Sequence, residues 1–245
     1  MTRVPRFYQP GLAPEGKVDL SRDACRHALK TLRLKEGDPV RLFDGEGLEV
    51  EARILAAGKG RARAEVLRVL EAPDRFLPPR MLAFSPPRGE RLDLLVEKGT
   101  ELGAALFQPI LWKRTPPRAR SPRLGRLEKI AASACEQCGR ARLPVFLPPL
   151  PLESFLQTGI QGAGLLLDKE GPPLAGKGLS GAVTLLAGPE GGLEPGEKEA
   201  ALEAGFLPSS LGPLTLRIET ALLAGLSRLA LPAVPPGREG PGGPP

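Results

Sequence analysis

Residues 183–192 read Val-Thr-Leu-Leu-Ala-Gly-Pro-Glu-Gly-Gly. Val183–Ala187 is an apolar run of strand length, and it ends directly in a glycine-rich turn. Glu194–Ala204 then reads as a helix, with Pro195 at its start and Gly205 just past its end. In open α/β sheets, ligands sit beyond the carboxyl ends of the strands, so Ala187–Gly192 is placed where a pocket belongs. Its glycines let the backbone come close to a ligand. The string is neither the Gly-x-Gly-x-x-Gly dinucleotide fingerprint nor a phosphate loop ending in Gly-Lys-Ser/Thr. Taken alone, such a string is more often a tight turn.

Working outward, short apolar runs alternate with amphipathic ones. Met81–Phe84, Ala104–Trp112, Val145–Leu147 and Gly164–Leu167 read as strands. Glu90–Leu102, Leu152–Gln157 and Ile218–Leu231 read as helices, and Ser121-Pro122 opens another that runs to about Cys138. This alternation predicts an α/β layer with a mainly parallel sheet. The front of the chain differs. Val40–Phe43 is followed by the turn Asp44-Gly45-Glu46-Gly47, and then Leu48, Val50, Ala52 and Ile54 alternate with polar residues. After Gly58-Lys59-Gly60, Ala62, Ala64 and Val66 alternate again, and Ser21 caps a helix to Leu32. Such strands and tight turns predict a small closed or nearly closed sheet. Prolines cluster over 72–80, so we expect one domain over 1–72, a second over 73–233, and a disordered Pro/Gly-rich tail over 234–245.

Hydrophobic residues make up 41% of the chain, enough for an ordinary core. No apolar run approaches the roughly 20 residues that span a bilayer, and residues 1–10 lack a signal-peptide stretch, so a cytoplasmic location without membrane contact is expected. Charge is unevenly spread. Residues 75–142 carry 14 basic and 6 acidic groups, whereas residues 143–245 carry 6 and 10. Lys113, Arg114, Arg118, Arg120, Arg123 and Arg126 form a cluster with no acid between them. It is either a footprint for a phosphate backbone or a solvated arginine-rich face. Cys25, Cys135 and Cys138 are too few for a disulfide framework. With the single histidine, His27, they make four possible metal ligands, but the Cys135-x-x-Cys138 pair falls inside a helix, and no metal is expected.

A second segment bears on the turn. Ser209-Ser210-Leu211-Gly212-Pro213-Leu214-Thr215-Leu216-Arg217-Ile218-Glu219-Thr220-Ala221 leads from an extended piece into the last helix. Its leucines can enclose a flat ring. Arg217 and Glu219 stand at the helix entrance, where an acid also suits the helix dipole.

The pair of strings, Gly188-Pro-Glu-Gly-Gly192 and Leu211–Ala221, resembles the signature of SPOUT-class methyltransferases. More narrowly, it resembles the family that methylates uracil N3 in small-subunit (16S) ribosomal RNA. Arg3–Phe7, His27–Asp38, Glu97–Gly103 and Glu136–Arg140 resemble further motifs of that family in the same order, so the resemblance runs from residue 3 to about 231. The chain departs from the pattern where Leu214 and Thr215 stand for the usual Arg and Ile. Gly99 and Cys138 likewise stand for Ala and Ser, and Ile218 replaces a small or hydroxyl residue.

The resemblance implies a PUA-like β-barrel before an α/β domain with a C-terminal trefoil knot. It also implies a homodimer, S-adenosylmethionine as cofactor, and rRNA or the 30S subunit as partner. On that basis Leu166, Leu167, Ala187, Gly188, Pro189, Glu190, Gly191, Gly192, Leu211, Gly212, Leu214 and Leu216 are expected at the cofactor. Arg217 would stabilise charge on the uracil oxygens, and Glu219 would take the N3 proton directly or through water, with Glu190 as the alternative acceptor. Arg6, Arg33, Lys35, Lys98, Arg114, Arg118, Arg120 and Arg140 are the expected RNA contacts, and Glu101 belongs to a structural network. Two other readings stay open at this point: another SPOUT enzyme methylating ribose 2′-O, and a non-catalytic RNA-binding assembly factor.

Overall fold

A computed structural model describes residues 4–58, 60–72, 74, 77–115, 124–160, 162–174, 179 and 181–230. The expected start of the third long helix at Ser121-Pro122, Leu231 and the expected disordered tail lie outside the described residues.

The front sheet contains β1 (Arg6–Tyr8), β2 (Lys17–Asp19), β3 (Pro39–Phe43), β4 (Glu49–Gly58) and β5 (Arg61–Leu70), in the order β1-β3-β4-β5-β2. The predicted alternation is realised, for Val50, Ala52, Ile54, Ala62 and Ala64 all face one core. Asp44 makes the β3–β4 turn by accepting hydrogen bonds from the backbone of Glu46, Gly47 and Leu48. Ser21 caps α1 (Arg22–Arg26) through the Ala24 N–H at 3.2 Å, as expected. The helix does not stay regular to Leu32. It widens into a π-helical turn over His27–Thr31. β1 and β2 escape a periodicity search because three residues are too short to show alternation.

The larger sheet is built from β6 (Arg80–Phe84), β7 (Leu106–Leu111), β8 (Val145–Phe146), β9 (Leu150–Pro151), β10 (Ala163–Leu167), β11 (Val183–Ala187) and β12 (Leu207–Ser209). Its order is β12-β10-β11-β6-β7-β8, with β9 also on β7, and the pairings are parallel. The helices are α2 (Glu90–Glu101), α3 (Leu124–Cys138), α4 (Leu152–Gln157), α5 (Pro195–Glu203) and α6 (Ile218–Ala230). Side chains alternate across the strands and make two cores. Leu82, Phe84 and Leu185 pack with Leu95, Leu127 and Leu222, whereas Ala83, Leu166 and Leu186 pack with Trp112, Phe155 and Phe206. All five residues of β11 are buried, because it lies inside the sheet.

Gly99 on α2 explains itself by close approach. A Cβ there would lie 2.9 Å from Cζ of Phe107 and 3.3 Å from Cδ1 of Leu82. Gly99→Ala gains about 1 kcal/mol of helix propensity but forces a ring in a packed core to move, at about 1–3 kcal/mol. We expect a net loss near 1 kcal/mol, read as a lower midpoint in urea at unchanged slope.

The two sheets are joined through buried contacts. Phe43 packs with Cys135 and Ala141. The Arg6 guanidinium binds both oxygens of Glu49 at 2.9 Å, donates to the carbonyl of Cys135 at 2.5 Å, and lies 4.6 Å from the Phe43 ring centroid. Arg140 donates to the carbonyls of Thr100 and Ala104, both at 2.8 Å, and approaches Asp74 at 3.6 Å. Two expected RNA contacts are thereby corrected. Arg6 is 7% and Arg140 8% exposed, and the hydrogen bonds they donate go to interior groups. A planar fork with fixed donors suits such carbonyl-rich sites.

Candidate active site

β10, β11 and β12 run parallel, so their carboxyl ends lie side by side. The segments leaving them, beginning at Leu167, Ala187 and Ser209, enclose a cleft of about 1040 Å³. Ile218 and Ala221 of α6 close its back, and Arg91 of α2 and Lys198 of α5 reach its rim. Backbone hydrogen bonds hold two of these segments together: Leu174 N–H to Ser210 O and Ser210 N–H to Pro172 O, both 2.7 Å. Gly171 is required there, because a Cβ would stand 2.7 Å from Ser209 N and 2.8 Å from the Pro208 carbonyl carbon.

The glycine turn is tied from several sides. Gly192 N–H donates to Pro189 O at 2.9 Å. Arg114 donates to Gly191 O at 2.6 Å and to Glu194 at 2.7 Å. Arg91 donates to Glu190 at 2.5 Å. Glu194 and Glu197 form a capping box on α5, and the buried Glu197 also accepts from Lys113 N–H at 2.8 Å. Across the cleft, Lys198 meets Asp168 at 2.6 Å. Burial opposes ionisation of Asp168, but the Lys198 hydrogen bond and the Glu170 N–H outweigh it, so the carboxyl sits below its usual value.

Of the expected cofactor residues, Leu167, Ala187, Gly188, Pro189, Glu190, Gly192, Leu211, Gly212, Leu214 and Leu216 line the cleft. Gly191 is in the turn, with its carbonyl toward Arg114. Leu166 is displaced from that set. It is fully buried among Ala83, Trp112 and Leu186, since its neighbour Leu167 takes the cleft side of the strand. Arg217 lines the cleft and is exposed. Glu219 does not line it. The residue is 4% exposed, its Oε2 has no hydrogen-bond partner among the described residues, and its Oε1 lies 3.9 Å from Arg91 Nε.

The remaining expected RNA contacts divide. Arg33 and Lys35 are exposed on the front domain. Lys98 is paired with Glu101 and Glu97, both at 2.8 Å, and the two hydrogen bonds raise its pKa. Arg114 is committed to the glycine turn. Arg118 and Arg120 lie outside the described residues. His27 stands edge-on to Phe7 and 3.9 Å from Glu136. Cys135 Sγ donates to Arg142 O at 3.7 Å, and its closeness to Cys138 lowers the Cys138 thiol while it and burial push Cys135 up. Cys25 packs in the front core. Among the described residues no three His, Cys, Asp or Glu are grouped to hold a metal ion, and no helix is long and apolar enough to cross a membrane. The sequence reading missed Arg91, Asp168 and Lys198. Arg91 lies in the first turn of the helix that follows β6, and the parallel pairing of β6 with β11 puts it at the same carboxyl end as the glycine turn.

A family model described as an RNA methyltransferase domain matches residues 77–230, and one described as an RNA methyltransferase PUA domain matches residues 20–67. Fold, cleft and matches together define an RNA methyltransferase with a PUA domain in front. A solved ribosomal RNA small subunit methyltransferase E from Neisseria gonorrhoeae, bound to S-adenosyl methionine, is 35% identical with a TM-score of 0.83, covering 92% of this chain and 96% of its own. A putative methyltransferase from Legionella pneumophila in complex with the cofactor is 31% identical with a TM-score of 0.81, covering 93% and 97%. The ribosomal RNA small subunit methyltransferase E of Synechocystis is 30% identical over 234 residues, 91% of this chain and 77% of that protein. The chain belongs to the ribosomal RNA small subunit methyltransferase E family.

Proposed function

We propose that this chain methylates ring nitrogen N3 of a uridine in small-subunit ribosomal RNA, in the assembled 30S subunit, with S-adenosylmethionine as donor, and that it does so as a cytoplasmic homodimer. The observation that carries this reading is the glycine turn Ala187–Gly192 at the carboxyl end of β11, facing a cleft walled by Leu211, Leu214 and Leu216. The wall chemistry fits the donor. The leucines suit a flat adenine, the exposed turn offers backbone groups to its edge, and Asp168 and Glu190 can face its positive charges. When bound, S-adenosylmethionine supplies a methyl group already activated for transfer. The clasp between Pro172–Leu174 and Ser210 supports the further inference that the chain is tied there in a trefoil knot.

The chain's own groups then align the acceptor and manage a proton. Arg217, exposed at the cleft wall, stabilises negative charge growing on the uracil oxygens. Glu219 lies behind the cleft wall formed by Arg217 and Ile218, so it accepts the N3 proton through water rather than by direct contact. Residues 1–72 act as the RNA platform, in front of the catalytic domain over 73–233, with Arg33 and Lys35 as phosphate contacts. Replacing Lys35 by Ala is expected to weaken rRNA binding for all sequences alike. It should also flatten the plot of log K against log salt by about 1, which filter binding at several salt concentrations checks.

The test is nucleoside mass spectrometry on small-subunit rRNA and on 30S subunits, both lacking the modification, after incubation with the protein and labelled S-adenosylmethionine. Labelled 3-methyluridine is expected, with 30S preferred over free rRNA. A labelled 2′-O-methyl nucleoside would overturn the N3 assignment, and no labelled nucleoside in either substrate would overturn the activity.

A further inference from the structure

We propose that Arg91 is a positioning residue that ties the donor-side glycine turn to the acceptor-side carboxylate; the inference rests on the function proposed above. Arg91 stands in the first turn of α2, on the rim of the cleft. Its Nη1 donates to Glu190 Oε1 at 2.5 Å, and its Nε lies 3.9 Å from Glu219 Oε1. One guanidinium therefore stands between the acid of the turn and the buried acid that opens α6. The Arg91 and Glu190 side chains are 40% and 57% exposed. An exposed pair of this kind adds little to folding, so the bridge is not there for global stability.

Its effect is geometric. The guanidinium presents donors in fixed directions. Contact with Glu190 sets the distance of the turn from α2, while the other edge is aimed at Glu219. Among the described residues the Glu219 Oε2 is buried without a hydrogen-bond partner, and Arg91 is the one cation within 4 Å of its carboxylate. Donor and acceptor sides are thus registered through one side chain, and small misplacements at such a site are costly to the rate. A lysine offers a compact charge whose donors rotate freely, so it lacks the planar fork that fixes two groups relative to each other.

The test combines three readouts on wild type, Arg91→Ala, Arg91→Lys, Glu190→Gln and the Arg91→Ala/Glu190→Gln double variant. Arg91→Ala is expected to lower the single-turnover rate at saturating donor about tenfold or more, with an unchanged melting temperature. Arg91→Lys should recover donor affinity but not the rate. The losses in S-adenosylmethionine affinity from Arg91→Ala and Glu190→Gln should not add in the double variant, because both break one contact. A rate within about twofold of wild type for Arg91→Ala, or fully additive affinity losses, would overturn the proposal. Should the wild type bind donor but form no 3-methyluridine, the acceptor assignment fails, and the affinity cycle still decides on Arg91. Should it bind no donor, amide exchange over residues 187–194 of the free protein decides: faster exchange in Arg91→Ala supports the tether, and unchanged exchange overturns it.

Discussion

Glu219→Gln is expected to lower single-turnover methylation by about 10²- to 10⁴-fold, the usual loss when a positioned proton acceptor is removed, while the fold stays intact. Glu219 is 4% exposed, and its Oε2 lacks a hydrogen-bond partner among the described residues. A buried carboxylate in that state weakens the fold, because its lost hydration is not replaced. An acid in the first turn of α6 gains about 0.3–1 kcal/mol from the helix dipole, which offsets only part of that loss. Glutamine keeps the shape and removes the charge, so we expect the stability to change by less than about 1 kcal/mol. Donor affinity should hold, since Glu219 does not line the cleft. Single-turnover kinetics beside thermal melting checks both halves. An unchanged rate would falsify the acceptor role and leave Glu219 as the acid of the helix start.

Arg6→Ala is expected to destabilise the protein by about 3–5 kcal/mol, the cost of stranding the other member of a buried ion pair. The Arg6 and Glu49 side chains are 4% and 3% exposed, and the guanidinium also caps the carbonyls of Cys135 and Arg140 at the end of α3. Removing it leaves Glu49 buried, with Arg41, 4.0 Å away, as the other cation near it among the described residues. At about 2–4 °C per kcal/mol for a chain of this size, the melting temperature should fall by roughly 10 °C. Arg6→Lys should not rescue it, since one ammonium cannot serve two carboxylate oxygens and two carbonyls. An unchanged melting temperature with weakened rRNA binding would return Arg6 to the surface role that its position in the sequence suggested.

Those two arginine corrections show where the sequence was silent. Arg6 and Arg140 sit in motifs that resemble a family of RNA enzymes, and a cation in such a motif reads as a phosphate contact. What turns both inward is a partner far along the chain: Glu49 and Cys135 for Arg6, Thr100 and Ala104 for Arg140. Lys98 and Arg114 follow the same logic at the surface, one held by Glu97 and Glu101, the other by the glycine turn and Glu194. Leu166 lies away from the cleft for a local reason. Alternation puts adjacent residues on opposite faces of a strand, and the sequence could not say which of Leu166 and Leu167 met the cleft.

The sequence by itself determined the strand–turn–helix units, the change from a strand-rich front to alternating strands and helices, and the glycine turn with its leucine-rich companion segment. These are local properties, set by period, by turn residues and by capping within a few positions of each other. Only the tertiary structure decided the strand order β12-β10-β11-β6-β7-β8, which brings residues 167, 187 and 209 to one cleft. It also decided that Arg91 would stand between Glu190 and Glu219. Those pairings join residues 99 and 128 positions apart (190 − 91 and 219 − 91). Their closeness comes from packing two apolar faces of one sheet against helices, a balance summed over the whole core that no short window of sequence contains.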